Sequence, residues 1–283
     1  MKIIDAHMHF SNIQAFYKGA EDSGVLYNEA GLAKEYTNCG VVKCVCMGLQ
    51  ETAPGRTPDK NADTPMFADL PNSSIDMGVC LGVNPHRLEP QNITAAEKAI
   101  KQNKKVVGFK IYAGYYHVDV RDELYAPIYR LAAAKGLPVA IHSGETYFKG
   151  GLIEYSRPLH VDRIAYQYPD VNFVICHVGF PWVMEACEVA TKNDNVYVDI
   201  SGLAVGDKAE CEKTRDEPLI RDFFRQGLIF LNNYKKVIFG TDWPLAPIGP
   251  YIDMCKAIIP EKAWGDVFYE NAARVYGWLA EDR

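Results

Sequence analysis

Short apolar runs recur along this chain at intervals that constrain its fold more than any other feature. Each run is almost continuously apolar and rich in β-branched residues, which is typical of strands covered on both faces. Eight runs occur, at residues 3–7, 41–47, 77–83, 106–111, 137–141, 171–176, 196–200 and 237–239. They start roughly 25 to 40 residues apart, the size of a βα unit, and therefore predict eight buried parallel strands.

Helical patterns separate the runs. Apolar residues recur at helical spacing in residues 93–103, 122–135, 182–192, 218–231 and 271–280, and Gly136 is a stop signal after the second of these. Eight βα units in 283 residues predict an α/β fold, a (β/α)8 TIM barrel, as one domain over residues 1–283. The alternative is an open doubly wound sheet, which is disfavoured because no GxGxxG loop follows the first run.

Charge and hydropathy argue against several classes of function. The net charge is −6 and there is no block of lysine and arginine, so neither nucleic acid nor an anionic membrane surface is an expected partner. No apolar run is long enough to span a bilayer, and the N-terminus lacks the pattern of a signal peptide. We therefore expect a cytoplasmic protein whose eight cysteines are reduced thiols. The expected partner is a small-molecule substrate, and a homodimer is expected because two-fold assemblies are the commonest kind.

Polar side chains close several of the apolar runs. His7 and His9 end the first run with a spacing of two, which places both imidazoles on one face of a strand. Four further residues end later runs: Lys110 the fourth, His142 the fifth, His177 the sixth and Asp242 the eighth. Because a barrel gathers the ends of its strands at one rim, we expect these six side chains to meet there. Imidazole and carboxylate ligands favour Zn²⁺, with Mn²⁺, Fe²⁺ and Co²⁺ as alternatives.

The motifs around these residues resemble those of the amidohydrolase superfamily. In chain order they are DAHMHF, GFKIY, AIHSGE, CHVG, GTDWP and ENAARVYG, and together they span most of the sequence. They are most similar to the amidohydrolase-related branch, which contains metal-dependent hydrolases and aminocarboxymuconate-semialdehyde-decarboxylase-like enzymes. The resemblance implies a barrel with a metal site at the C-terminal ends of its strands.

The resemblance also implies a role for each polar residue at a strand end. The ligands of the deeply held metal ion are matched by His7, His9 and Asp242, and a further ligand by His142. His177 resembles either a ligand of a second ion or a catalytic histidine beside a single ion. Lys110 matches a position that some members carboxylate to bridge two ions; alternatively, it pairs with a substrate carboxylate or a nearby acid. The alternative for His142 and His177 is a buried histidine satisfied by backbone groups.

Loops after the strands supply candidate substrate contacts. The segments 53–71 and 112–122 are expected to project over the rim of the barrel. Candidate substrate-binding residues in such loops are Arg56, Arg87, Tyr112, Glu145 and Trp243. A cation can hold an anionic group and aromatic rings can line a pocket, so we expect a small substrate that is aromatic or carboxylated.

These residues predict a metal-dependent hydrolase acting on a small amide, lactone or ester. A divalent ion would lower the pKa of a water, with Asp242 as proton acceptor and donor and His177 polarising the substrate carbonyl. The alternative is a non-oxidative, metal-dependent decarboxylase of a small aromatic or unsaturated carboxylic acid, in which Asp242 or His177 protonates carbon. The resemblance favours hydrolysis, because Lys110 within GFKIY is more typical of the hydrolytic members of that superfamily. Two other hypotheses stay open: a metal-independent lyase or lactonase on the same barrel, and a non-enzymatic binding protein.

Overall fold

Eight parallel strands form a single sheet in which they follow one another in chain order. The computed structural model describes residues 1–69 and 75–277. The strands are β1 (Ile3–Met8), β2 (Val41–Met47), β3 (Asp76–Val83), β4 (Val106–Ile111), β5 (Val139–Ile141), β6 (Phe173–Ile175), β7 (Val196–Asp199) and β8 (Val237–Ile238). All eight predicted strands are confirmed, and the last four are shorter than predicted.

Hydrogen bonds between β1 and the residues that directly follow β8 close the sheet into a nearly complete barrel. The Ala6 N–H donates to Phe239 O (3.0 Å), and the Asp242 N–H donates to His7 O (2.8 Å). A sheet whose two ends meet in this way is a barrel and not an open sheet. The predicted TIM barrel is therefore confirmed, and the doubly wound alternative is wrong.

Helices and single turns connect the strands. The helices are α1 (Gln14–Ser23), α2 (Glu29–Cys39), α3 (Pro90–Gln102), α4 (Ala126–Lys135), α5 (Leu159–Gln167), α6 (Val183–Lys192), α7 (Lys208–Asp216), α8 (Pro218–Leu231), α9 (Ile248–Ile258) and α10 (Asn271–Val275). Short turns of other helical types are Glu123–Tyr125, Ile153–Ser156, Cys176–Gly179, Tyr234–Lys236, Glu261–Ala263 and Asp266–Glu270. No helix within residues 1–69 and 75–277 is long and apolar enough to cross a bilayer.

The predicted helices are present with adjusted ends. The helix predicted over 93–103 begins at Pro90, and the one predicted over 122–135 begins with a tighter turn before α4. The last predicted helix ends at Val275, and its residues 278–280 lie outside the described residues. Residues 70 and 71 of the predicted loop 53–71 also lie outside them.

Neighbouring residues of a strand belong to two different buried apolar clusters. One cluster contains Ile4, Val45, Ala140, Val174 and Ile238, together with residues of α10. The other contains Ile3, Cys44, Val139, Phe173 and Val237, together with buried residues of the surrounding helices. Because successive side chains point to opposite faces, both faces of these strands are covered, which explains why the runs do not alternate.

Candidate active site

Three of the predicted metal ligands meet at the carboxyl ends of the barrel strands. His7 is the next-to-last residue of β1, and His9 follows that strand. Asp242 lies in the loop after β8. Asp242 Oδ1 is 3.1 Å from His9 Nε2 and 3.5 Å from His7 Nε2. All three side chains are buried. The barrel therefore brings together side chains from opposite ends of the sequence.

This donor set fits a divalent metal ion. Asp242 Oδ1 is buried and accepts no hydrogen bond from the described residues, although an unpartnered buried carboxylate oxygen is costly. His7 Nε2 offers a lone pair, because His7 Nδ1–H donates to Asp199 Oδ2 (2.9 Å). The separations of 3.1 and 3.5 Å are close to the ~3.3 Å edge of a tetrahedral site with bonds of about 2.0 Å.

His142 and His177 form a second pair beside these ligands. His177 Nε2 is 3.1 Å from His142 Nδ1. The other nitrogen of each ring faces a backbone carbonyl, which can only accept. Thus His142 Nε2–H donates to Glu145 O (2.9 Å), and His177 Nδ1–H donates to Ser201 O (3.1 Å). The facing nitrogens then both carry lone pairs, so the pair is suited to hold a cation; whether each is ligand or base stays a prediction.

Lys110 brings a positive charge to the same place. Its side chain is 1% exposed, and Nζ donates to Cys176 Sγ (3.0 Å) and lies 3.4 Å from His7 Nε2. Within residues 1–69 and 75–277 no carboxylate forms an ion pair with it. The ammonium group is therefore available to an anionic group of a ligand.

Burial governs the protonation of the site. It lowers the pKa of His177 to about 4 and holds the pKa of His142 well below its usual value, because a charged imidazole is poorly solvated there. Burial also opposes ionisation of Asp242, but contact with His9 and the proximity of two other histidines outweigh it and hold the pKa of Asp242 below its usual range. At neutral pH these groups are therefore proton acceptors.

Unusual backbone conformations hold the side chains in place. His177, Val178 and Asp242 have φ values of 59°, 41° and 64°, in the left-handed region that residues with a Cβ rarely adopt. Gly202 has a φ of +62°, and a Cβ at this position would lie 2.7 Å from His177 Nδ1 and 3.1 Å from Asp242 Oδ2. Conformations of this kind cluster at functional sites, and glycine here allows close approach to both groups.

A cavity of about 250 Å³ opens onto these groups. Its polar lining includes His9, Lys110, His142, His177 and Asp242. Its apolar and aromatic lining includes Phe16, Leu49, Tyr112, Tyr115, Tyr147, Phe148, Phe180, Val205 and Leu245. A cavity with mostly apolar walls and a few convergent polar groups suits a small organic ligand with a ring.

Two of the five predicted substrate-binding residues line this cavity. Tyr112 forms part of the wall, and its hydroxyl donates to Gly48 O (2.9 Å). Glu145 lies at the edge of the cavity, and its carbonyl rather than its carboxylate contacts His142. Tyr112 therefore presents an aromatic ring to the cavity, and the carbonyl of Glu145 orients a site histidine.

The other three predicted substrate-binding residues lie outside the cavity lining. Arg87 donates to Asp63 Oδ1 (2.9 Å) in a neighbouring loop, and Arg56 is exposed. Trp243 is fully buried, and its Nε1–H donates to Glu35 Oε1 (3.2 Å). The sequence placed these residues in the correct loops, but loop position alone does not determine the direction of a side chain.

Three polar residues of the site were not predicted. Asp199 and Ser201 contact both His7 and His177, and Cys176 contacts Lys110. A signal for Asp199 was present, because it is the next-to-last residue of the seventh apolar run and so lies near a strand end, as the histidines do. Ser201 and Cys176 have no comparable signal, since serine and cysteine are common near strand ends.

Sequence comparison identifies one family over nearly the whole chain. The family model described as Amidohydrolase matches residues 4–278. Among curated proteins, Protein fluG of Emericella nidulans is 35% identical over 63 residues, which are 22% of this chain and 7% of that protein. The matched part of the chain is therefore a small fraction of that relative's length.

Solved structures with the same fold cover both chains almost completely. An uncharacterised TIM-barrel protein from Bordetella bronchiseptica has a TM-score of 0.73 and 18% identity, over 99% of this chain and 100% of that one. A dihydroxybenzoic acid decarboxylase from a Polaromonas species, with bound manganese and the inhibitor 2-nitroresorcinol, has a TM-score of 0.66 and 14% identity over 98% and 97%. A probable 2-pyrone-4,6-dicarboxylic acid hydrolase from Acinetobacter baumannii, with citric acid bound, has a TM-score of 0.61 and 15% identity over 98% and 100%.

These identities are low, so the structural likeness establishes the barrel and not the reaction. The family match is independent of that likeness and includes every strand-end motif from His7 to Asp242. The chain therefore belongs to the amidohydrolase family, whose members are enzymes that include hydrolases and decarboxylases.

Proposed function

We propose that this protein is a metal-dependent hydrolase that cleaves a small amide, lactone or ester with an activated water. The observation that carries the proposal is the position of Asp242 Oδ1, which lacks a hydrogen-bond partner among the described residues and lies 3.1 and 3.5 Å from Nε2 of His9 and His7. A carboxylate oxygen held in this way is suited both to bind an ion and to accept a proton from water.

The residues that would hold the ion are His7, His9 and Asp242, with His142 beside them. A divalent ion bound there would acidify a water molecule and polarise the scissile carbonyl. Nitrogen and oxygen donors favour Zn²⁺, and Mn²⁺, Fe²⁺ and Co²⁺ are compatible with the same set. The manganese in the Polaromonas decarboxylase of similar fold supports a divalent ion.

The protonation of the site favours hydrolysis over decarboxylation. Hydrolysis begins with removal of a proton from water, whereas decarboxylation requires delivery of a proton to carbon. Asp242 is ionised, and His177 is neutral with its only proton on Nδ1, facing Ser201 O. Both groups therefore start as proton acceptors. Asp242 would take a proton from water and return it to the leaving group.

Lys110 and the aromatic walls define the substrate class within this proposal. Tyr112, Tyr115 and Phe16 line the cavity. The His9 ring stacks on Phe16 with centroids 4.5 Å apart, and the Tyr115 ring lies 4.7 Å from that of His142. The buried ammonium of Lys110 supplies one cation for an anionic substituent. The substrate would therefore be a small molecule that carries a ring and a single negative charge.

Decarboxylation of a small aromatic acid is the second candidate function. The specific observation that favours it is the combination of Lys110 with mostly apolar walls, since removing a carboxylate from water makes loss of CO₂ easier. The decarboxylase of similar fold adds weight to this candidate. A proton for the carbon would then have to come from Asp242 or His177 after an earlier proton transfer.

Metal removal and reloading test the metal site. Protein stripped with a chelator is expected to lose activity and regain it with Zn²⁺, Mn²⁺ or Co²⁺. His9→Gln and Asp242→Asn should weaken binding of these ions, whereas Asp253→Asn, on an exposed position of α9, should not. Activity that survives complete removal of metal would contradict the proposal and favour a metal-independent enzyme.

Heavy-oxygen water separates the two candidate reactions. The loaded enzyme is incubated with small aromatic lactones, esters and amides and with the matching aromatic acids. Hydrolysis transfers oxygen from labelled water into the product, whereas decarboxylation releases CO₂ and leaves the rest of the substrate unlabelled. Asp242→Asn should lower turnover on the accepted substrate by about 10²-fold or more, because a positioned proton acceptor is lost. Release of CO₂ without uptake of label would replace the first candidate by the second.

A further inference from the structure

Asp199, the last residue of β7, is a buried carboxylate with four donors around it. Its Oδ2 accepts from His7 Nδ1–H (2.9 Å). Its Oδ1 accepts from the backbone N–H of His177 (2.9 Å), from the backbone N–H of Ser201 (3.1 Å) and from Ser201 Oγ–H (2.6 Å). Two of these partners are backbone N–H groups, which can only donate, and each oxygen of the carboxylate meets at least one donor. Both oxygens of Asp199 therefore act as acceptors.

This arrangement fixes the tautomer of His7. A neutral imidazole has one proton, and a carboxylate at 2.9 Å from Nδ1 requires that proton to be on Nδ1. The lone pair is then on Nε2, the atom that faces Asp242 Oδ1 at 3.5 Å. With the proton on Nε2 instead, His7 could not act as a ligand at that position.

The same carboxylate also positions His177. It accepts the N–H of His177, a residue whose backbone is in the left-handed region with a φ of 59°. It also orients Ser201, because Ser201 Oγ donates its only proton to Asp199 Oδ1. Ser201 Oγ can then only accept from His177 Nδ1, 2.9 Å away. The proton of His177 is thus held on Nδ1, with the lone pair of Nε2 left toward the cavity.

We infer that Asp199 is a positioning residue that sets the tautomer of His7 directly and, through the backbone N–H of His177 and Ser201 Oγ, helps to hold His177 with its proton on Nδ1, so that one carboxylate prepares both a metal ligand and a proton acceptor. The inference rests on the proposed metal-dependent function. It assigns a task to a residue that does not line the cavity and that reaches the ion-holding group only through His7. Carboxylates that hold metal-binding histidines in this way strengthen metal binding in general.

The tautomers can be read directly by nitrogen NMR of protein labelled with ¹⁵N-histidine. In metal-free wild-type protein near neutral pH, His7 and His177 are expected as neutral rings with the proton on Nδ1. Their signals are assigned by their loss in His7→Gln and His177→Gln. A His7 signal with the proton on Nε2 would overturn the inference, and this result does not depend on how any Asp199 variant folds.

The variant Asp199→Asn tests whether the carboxylate of Asp199 causes the tautomer of His7. Three donors meet Oδ1 and one meets Oδ2, so the amide oxygen is expected to stay at the Oδ1 position. The amide NH₂ then faces His7 Nδ1, which becomes an acceptor, and the proton moves to Nε2. Co²⁺ binding, measured by competition with a coloured chelator, should weaken about 10- to 100-fold.

Asp59→Asn is the matched control. Asp59 is as little exposed to solvent as Asp199, at 2% against 1%. It accepts from Thr52 N–H (2.7 Å) and Asn61 N–H (2.9 Å), and no imidazole of the described residues contacts its carboxylate. This variant should keep the wild-type tautomers and the wild-type affinity for Co²⁺. Equal weakening of Co²⁺ binding in both variants, or an unchanged His7 tautomer in Asp199→Asn, would overturn the inference. His177 is expected to keep its proton on Nδ1 in Asp199→Asn, because the amide oxygen still accepts from Ser201 Oγ and Ser201 O still accepts from His177.

Failure of the metal site is distinguishable from failure of the role of Asp199. If wild-type protein binds no Co²⁺, the proposed function is wrong, yet the NMR experiment still decides whether Asp199 sets the tautomers. If wild-type protein binds Co²⁺ and Asp199→Asn binds it equally well, the metal site stands and the positioning role is wrong.

Discussion

At the scale of single residues, the site depends on one position without a side chain. Gly202 lies so close to His177 and Asp242 that a Cβ would come within 2.7 Å of a ring nitrogen. Its positive φ adds a second reason for glycine, because residues with a Cβ pay about 1 kcal/mol or more to adopt the left-handed region. The steric effect of a Cβ and the conformational cost of a positive φ can be separated, because Gly136 shows only the conformational cost.

Gly202→Ala is expected to disturb the site more than the fold. Gly136 has a similar φ of +63°, but in the part of the chain that the structure describes no atom lies within 4 Å of a Cβ placed there. Gly136→Ala should therefore cost only the conformational term, about 1 kcal/mol in the free energy of unfolding. Gly202→Ala should cost more and should also weaken Co²⁺ binding, because His177 and Asp242 must move apart. Urea unfolding and Co²⁺ titration of both variants measure the two effects, and equal losses in both would show that the contact at Gly202 is unimportant.

The residues of the candidate site could be predicted where a histidine, lysine or aspartate stands at the end of an apolar run. Six polar side chains lie at the ends of apolar strands, and the structure places all of them in or beside the cavity. They are His7, His9, Lys110, His142, His177 and Asp242. Arg87 and Trp243 could not be placed, because their directions depend on Asp63 and Glu35 in distant segments. Such pairings between loops leave no pattern in a single sequence.

At the scale of elements, a buried network holds the first strand to the loop that carries Asp242. Asp5 Oδ1 accepts from Thr241 N–H (2.9 Å), and Asp5 Oδ2 accepts from Thr241 Oγ–H (2.6 Å) and Tyr36 O–H (3.1 Å). Thr241 Oγ in turn accepts from Trp243 N–H (3.0 Å). The network thus joins β1, α2 and the loop after β8, and it fixes the backbone on both sides of Asp242.

Thr241→Val should lower stability although the two side chains have the same shape. The change removes a donor to Asp5 and leaves the Trp243 N–H without an acceptor. The free energy of unfolding should fall by about 2 to 3 kcal/mol, the cost of unsatisfied buried groups. Thr37→Val, at an exposed position of α2, should change it by about 0.5 kcal/mol or less. Denaturant unfolding checks both, and similar values for the two variants would contradict a structural role for the network.

Strands were easier to predict than helices, for a physical reason. Burial on both faces makes each strand continuously apolar, as in Val139–Ile141 and Phe173–Ile175. Helix α7, which was not predicted, buries only Cys211 and Thr214 among its nine residues, and all the others except Ala209 are charged. A helix with so narrow a buried face shows no apolar stripe, so its existence depends on packing against α8 and α9 that a single sequence does not reveal.

At the scale of the whole molecule, the buried histidines make stability depend on pH. Burial lowers the pKa of His7, His9, His142 and His177. The unfolded chain takes up protons as pH falls through 6.5, whereas the folded chain does not, so these groups favour unfolding below that pH. Each contributes up to about 1.4 kcal/mol per pH unit. Asp5 acts in the opposite sense, because burial raises its pKa to about 7 and the folded state is protonated first.

Metal-free protein is therefore expected to lose stability as pH falls from about 7.5 to about 5.5. The four buried histidines destabilise the folded state over this range by more than Asp5 stabilises it. The measurement is urea unfolding at several pH values in the presence of a chelator. His142→Asn should reduce the slope with pH, because one neutral buried imidazole is removed. A free energy of unfolding that stays constant or rises over this range would contradict the assignment of neutral histidines.

The meeting of β1 with the loop after β8 also has a consequence for synthesis of the chain. Asp5 and Thr241, which bond to each other beside the ligands, are 236 residues apart in sequence. While the ribosome is still adding the middle of the protein, His7 and His9 have no Asp242 to meet. Binding of an ion would therefore require a completed barrel. Nascent chains that stop before the eighth strand would lack Asp242 and would be unable to retain the ion.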